Sequence, residues 1–146
     1  MISGISIAAK TMNPKIKIIA AEPLGNNNAA DIFESVRKGV MVEDMQPPDT
    51  IADGLRARMG SFTWPVVKDM VDKVVVVSEE EIQESMKIIW QDAKVICEPS
   101  GAVALAGYRS SMFKEWLKKE DIQISKTALI VSGANLDLEN KWQYLL

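Results

Sequence analysis

Lys73-Val74-Val75-Val76-Val77 runs straight into Ser78-Glu79-Glu80-Glu81, and no other junction constrains the fold of this chain as tightly. Four consecutive valines, stiff at χ1, favour a pleated strand. An unbroken apolar run, without alternation, is the pattern of a strand covered on both faces, as in a parallel sheet. Ser78 can accept from the backbone one turn on while Glu81 reaches back to the Ser78 amide, the capping box that starts a helix. The acidic residues also suit the positive end of the helix dipole. Ile82, Met86, Ile89, Trp90 and Ala93 follow at helical spacing and are expected to face a core. A strand that feeds directly into an amphipathic helix is half of a βαβ unit.

The same alternation recurs on either side. Lys17 to Ala21 reads as a short strand ended by Glu22-Pro23, with a polar loop at Gly25-Asn26-Asn27-Asn28 and a helix from Ala29 to Lys38 closed by Gly39. Residues 41–50 carry Pro47-Pro48 and no period, so they read as an irregular connection. Trp64-Pro65 opens a helix to Val71. Val95-Ile96-Cys97 is a brief apolar segment ending at Glu98-Pro99-Ser100-Gly101, and a helix is expected from Ala102 to Lys119. Thr127 to Val131 reads as a buried strand delivering Ser132-Gly133-Ala134-Asn135 at its carboxyl end. Met1 to Lys10 forms a small-residue helix, apolar on most faces, that calls for burial against a sheet. No strand precedes it, so the chain is expected to begin inside a βα unit. Together these elements predict an α/β fold, a parallel sheet flanked by helices, as one domain over 1–146.

Composition narrows the chemistry. The chain has 146 residues, no histidine, one cysteine (Cys97) and a net charge of −3. Without histidine there is no Ser-His triad, no His-ligated metal and no imidazole acid–base catalysis. A lone cysteine excludes an internal disulfide and fits a reducing, cytoplasmic setting. The acidic balance argues against nucleic acid as a partner. No apolar run approaches the roughly 18 residues of a membrane span, so no membrane partner is expected. Chemistry must come from carboxylates, lysines, hydroxyls or a bound cofactor.

Ligands of open α/β sheets sit beyond the carboxyl ends of the strands, which directs attention to the loops there. Ser132 is the one side chain of Ser-Gly-Ala-Asn well placed to exchange a hydrogen bond, although such a Ser often satisfies its own backbone. Glu98 follows a buried segment and must find a partner or a ligand there; the helix-start backbone is an equal claimant. Asp53 in Ala-Asp-Gly reads as a turn former, and Cys97 as a small buried hydrophobe. Glu22 and Asn28 could share a hard cation with loop carbonyls, although an Asn-rich turn is the commoner explanation.

Six stretches occur in a telling order: Met1-Ile2-Ser3-Gly4-Ile5, Glu22-Pro23, Thr50-Ile51-Ala52-Asp53-Gly54, Thr63-Trp64-Pro65, Glu98-Pro99-Ser100-Gly101-Ala102 and Ser132-Gly133-Ala134-Asn135. Across essentially its whole length the chain resembles the carboxyl-terminal half of the serine racemase and threonine/serine dehydratase family. Those are pyridoxal-phosphate enzymes of the tryptophan-synthase-β-like fold (fold type II). The resemblance implies pyridoxal 5′-phosphate as cofactor. It matches Ser132 to the serine that hydrogen-bonds the pyridine nitrogen, Glu98 and Gly54 to residues lining the cofactor pocket, and Met1 to the last position of the phosphate-cradling loop. It further implies a Mg²⁺ or Ca²⁺ site, with Glu22 as first carboxylate, Asn26 as a backbone-carbonyl position and Asn28 where the family commonly has Asp. That exchange removes a formal charge and weakens the attraction for a cation. Two or three additional residues also sit around Asp31 to Phe33.

The family's Schiff-base lysine, its opposite-face serine, its substrate-carboxylate loop and its phosphate glycines all match nothing here and are expected to lie before Met1. No residue of this chain is therefore nominated as catalytic. The expectation is a fragment or truncated form of a serine racemase or L-serine/L-threonine ammonia-lyase, inactive alone, whose complete form acts on serine or threonine as a homo-oligomer. The alternative is a non-catalytic interaction module that associates with a full-length relative through exposed apolar surface.

Overall fold

The structure, a computed structural model, describes residues 1–27, 30–43 and 45–137. Two parallel strands lie at its centre, β1 (Ile19–Pro23) and β2 (Lys73–Val77), paired in register from Ile19 opposite Lys73 to Pro23 opposite Val77. Six α-helices surround them: α1 (Ile2–Met12), α2 (Asp31–Lys38), α3 (Trp64–Met70), α4 (Glu79–Ile88), α5 (Pro99–Arg109) and α6 (Ser111–Lys119). The α/β class with a parallel sheet flanked by helices is what the sequence predicts. Among the described residues no helix is long and apolar enough to cross a membrane.

The β2–α4 junction forms as expected. Ser78 Oγ accepts the Glu81 amide at 3.3 Å and Glu81 Oε2 accepts the Ser78 amide at 2.8 Å. Ile82, Met86 and Ile89 are buried with Val77, Cys97, Ala102, Val103 and Ala106 in the main core. Ala93 departs from expectation and is exposed. The helix widens into a π turn over Ile89–Ala93 and stops at Lys94, whose φ is 57°. The wider turn breaks the 3.6-residue period and swings Ala93 away from the core. α5 lies against both the core and the sheet. A Cβ on Gly107 would come within 2.6 Å of Ala21 Cβ and 3.1 Å of Val75 Cγ2, so glycine sets that close approach.

Four other expectations are corrected. β1 takes in Glu22 and Pro23, because its register on β2 extends to Val77 and the Leu24 amide continues the ladder to the Val77 carbonyl at 2.9 Å. The long helix begins at Pro99, earlier than Ala102, and breaks at Ser110. There the backbone turns extended (φ −62°, ψ 152°), and Ser110 Oγ donates to the Gly107 carbonyl while accepting the Phe113 amide. One residue thus closes α5 and caps α6. Residues 127–131 form no strand among the described residues, and Leu129, Ile130 and Val131 are 39%, 47% and 41% exposed. β propensity alone does not make a strand, and here no neighbouring backbone pairs with it. α1, finally, packs on α3 and leaves Ile7 and Met12 exposed; only Ser6 is buried. Its end is tied down by Asp72, which accepts from Lys10 Nζ, Lys17 Nζ and the Ile18 amide at 2.6, 2.9 and 2.8 Å. Burial pushes the Asp72 carboxyl up, but these donors outweigh it and hold the group below its ordinary value.

Candidate functional site

Three segments distant in sequence meet at the start of α5. Glu98 is the N-cap residue, extended at φ −79° and ψ 166°, and Pro99 fills the first helical position where a missing N–H costs nothing. The Glu98 amide donates to the Gly133 carbonyl at 3.1 Å, and Glu98 Oε2 accepts the Asn135 amide at 3.1 Å. Gly133 lies at φ +85°, the left-handed region that glycine adopts without penalty. A side chain there would overlap Glu98, with its Cβ 2.5 Å from Glu98 Cδ. On the other side the 3-10 turn Asp53–Leu55 brings up Gly54, whose amide donates to Ser100 Oγ at 3.0 Å and to Asp53 Oδ1 at 2.9 Å. A Cβ on Gly54 would stand 3.6 Å from Glu98 Oε1. The structure therefore brings Gly54, Glu98 and the 132–135 turn together.

Ser132 opens that turn and is half-buried. Its carbonyl crowds Gly101, where a Cβ would lie 2.5 Å away, so the turn sits tightly on the amino end of α5. Its hydroxyl has no hydrogen-bond partner among the described residues. Cys97 lies beneath, buried, its carbonyl accepting Trp90 Nε1 at 3.0 Å. Burial pushes its thiol up, which suits a core residue and not a nucleophile. Met1 makes its contact elsewhere: it is the N-cap of α1, 75% exposed, with its carbonyl accepting the Ile5 amide. Ser100, which holds Gly54, is the residue that sequence reasoning missed. A hydroxyl in the first turn of a helix is the signal that could have found it.

A second acidic feature lies at the end of β1. Glu22 is buried, and its two carboxylate oxygens accept the Ile32 and Phe33 amides at the start of α2, at 3.2 and 3.0 Å. Burial pushes its pKa up to about 8; the Phe33 amide opposes this, and the hydrogen-bonded Asp31 side chain adds to it. Asp31 is itself buried and accepts the Met59 amide through Oδ2 at 2.8 Å. Glu22 thus meets Asp31, a residue outside the expected ligand set. Asn26, expected to contribute its backbone carbonyl, donates through its amide to the Asp49 carbonyl and through Nδ2 to Asp49 Oδ2. Asn28 lies outside the described residues. Among the described residues no group of three or more His, Cys, Asp or Glu side chains could hold a metal ion.

The model of the family described as pyridoxal-phosphate dependent enzyme matches residues 1–133. The chain belongs to that family. It is 43% identical over 148 residues to serine racemase of Oryza sativa subsp. indica, covering 99% of this chain and 41% of that protein. Serine racemase of Arabidopsis thaliana is 44% identical, with 97% and 41% covered. Among solved structures, maize serine racemase superposes with a TM-score of 0.87 at 46% identity, covering 97% of this chain and 41% of that one. The processed form of threonine deaminase isoform 2 from Solanum lycopersicum superposes with a TM-score of 0.81 at 32% identity, covering 98% and 37%. The chain therefore spans 41% of the length of the curated serine racemases first matched. Family membership supplies the cofactor class, pyridoxal phosphate, and the fold of these enzymes.

Proposed function

We propose that this chain forms the pyridine-nitrogen side of the cofactor pocket in a pyridoxal-phosphate-dependent serine racemase or L-serine/L-threonine ammonia-lyase. One observation carries the reading. The Ser132 hydroxyl, without a protein partner among the described residues, is presented by a turn that is bare of side-chain bulk at Gly133 and Ala134 and is seated on the amino end of α5. A hydroxyl with a free donor and acceptor fits a pyridine nitrogen. Gly54 would line the pocket beside that turn, Glu98 would stand behind the turn, and Met1 would fall at the edge of the phosphate loop.

When bound, pyridoxal phosphate supplies an electron sink for loss of the substrate α-proton. The work of this chain is to hold the ring nitrogen through a neutral group. A serine hydroxyl does not keep that nitrogen protonated as a carboxylate would, so the sink is moderated. That suits expulsion of a β-hydroxyl as well as return of the proton to the other face. The substrate is a small amino acid, serine or threonine, in the complete enzyme. A cytoplasmic homo-oligomer is the setting that fits.

A Mg²⁺ or Ca²⁺ ion would be held by Glu22 with the Asn26 carbonyl and Asn28, the set that the family resemblance implies. The test of the main reading is Ser132→Ala in the native protein, with cofactor affinity followed by titration with pyridoxal phosphate. Loss of one hydrogen bond of about 1 kcal/mol predicts about fivefold weaker binding. Unchanged affinity removes Ser132 from the pocket.

A second reading, a non-catalytic module that associates with a full-length relative, is favoured by one feature. A cleft of about 310 Å³ opens between Ile88, Ala93, Val95, Leu105, Leu129 and Val131. Leu129, Ile130 and Val131 stay exposed beside it, apolar side chains that a partner would cover. A purified chain that stays monomeric and fails to bind the relative would count against it.

A further inference from the structure

The Glu98 side chain reaches both ends of the turn that follows Ser132. Its Oε2 accepts the Asn135 amide, and its Oε1 and Cδ occupy the space that any Cβ on Gly133 would need. The same carboxylate lies 3.6 Å from where a Gly54 Cβ would be, so it fills the gap between two backbone segments that are both glycine. Its own backbone is anchored twice: as N-cap of α5, and through its amide to the Gly133 carbonyl. A carboxylate placed in this way commits one oxygen to a backbone amide and sets the other against Gly133.

We propose that Glu98 is a positioning residue that clamps the 132–135 turn and thereby fixes the direction in which the Ser132 hydroxyl is presented. This rests on the reading of Ser132 as the group that meets the cofactor nitrogen. The role differs from that of a pocket wall, because Glu98 then acts through the turn and not on the cofactor. The chemistry of the clamp needs an acceptor of the right length, not a charge: Gln offers the same reach and a carbonyl oxygen to the Asn135 amide. Ala offers neither, and leaves Gly133 free to move into the vacated space.

The test has two arms. In the full chain without cofactor, amide exchange at Asn135 is measured for the wild type, Glu98→Ala and Glu98→Gln. The clamp predicts exchange about fivefold faster in Glu98→Ala, the equivalent of one hydrogen bond, and protection retained in Glu98→Gln. In the native protein, titration with pyridoxal 5′-phosphate is repeated for Glu98→Ala, Ser132→Ala and the double variant. Glu98→Ala should weaken binding to the same degree as Ser132→Ala, the double variant should lose no more than either, and Glu98→Gln should bind as the wild type. Equal Asn135 exchange in all three forms overturns the clamp, and so does full additivity of the two losses, which would mean that Glu98 acts on the cofactor independently. If Ser132→Ala leaves the affinity unchanged, the cofactor reading of Ser132 falls, and the exchange arm alone decides whether Glu98 holds the turn.

Discussion

Glu22→Gln isolates the buried acid at the end of β1. In the folded chain the Glu22 carboxyl is pushed up to about 8 from its ordinary 4.5, chiefly by burial. A carboxyl raised on folding binds its proton more tightly in the folded state. Its contribution therefore falls as pH rises above the unfolded value, through the whole window from 4.5 to about 8. Integrating the linkage between about pH 5 and pH 8 gives about 3–4 kcal/mol of stability lost by the wild type. The glutamine variant would not titrate and would show none of this slope. It would bear a constant cost of about 1 kcal/mol, because one oxygen replaces the two that accept the Ile32 and Phe33 amides. Urea unfolding at pH 5, 6, 7 and 8 in chelator would read both effects. The variant should match the wild type within a few tenths of a kcal/mol at pH 5 and be more stable by about 3 kcal/mol at pH 8. Parallel stability profiles for the two proteins would refute the raised pKa. Adding Mg²⁺ should flatten the wild-type slope, and leave the variant unmoved, if Glu22 is a cation ligand.

Ser78→Ala removes the capping box of α4 and should cost about 1 kcal/mol, read as a lower urea midpoint with an unchanged m-value. Gly107→Ala drives a methyl into Ala21 and Val75 and should destabilise by about 1–3 kcal/mol; Ala21→Gly in the same chain should recover part of the loss, and no recovery would mean that α5 does not press on β1 there. Asp72→Asn removes the anion shared by Lys10 and Lys17, two contacts that are partly solvated, and should shift stability by about 1 kcal/mol or less, with the difference shrinking as salt is added.

What the sequence makes legible is what is local. The valine run and the Ser78–Glu81 box act within a few residues, so β2 and α4 emerge at their expected places. Elements whose limits depend on a neighbour do not. β1 runs on through Glu22-Pro23 because Val76 and Val77 are there to pair with it. The apolar 127–131 run stays outside any sheet because a strand is a relation between two backbones. Ser110 carries no mark that separates it from an ordinary helical serine until its hydroxyl is seen bonding in both directions. At the site, Glu98 and Ser132 stand out singly in the sequence, whereas their meeting, and the part of Gly54 and Ser100 in it, requires the fold. The acid pair shows the same limit. Asp31 reaches Glu22 from the first turn of α2, a meeting that only the fold brings about.

The central claim is that Ser132 meets the ring nitrogen of pyridoxal phosphate, and isotope-labelled nitrogen NMR of the cofactor in the native protein reads that atom itself. The account predicts an unprotonated, hydrogen-bonded nitrogen in the wild type, a resonance that moves in Ser132→Ala with loss of the hydrogen bond, and a protonated nitrogen in Ser132→Asp. A nitrogen resonance identical in all three forms would place Ser132 away from the cofactor and contradict the account.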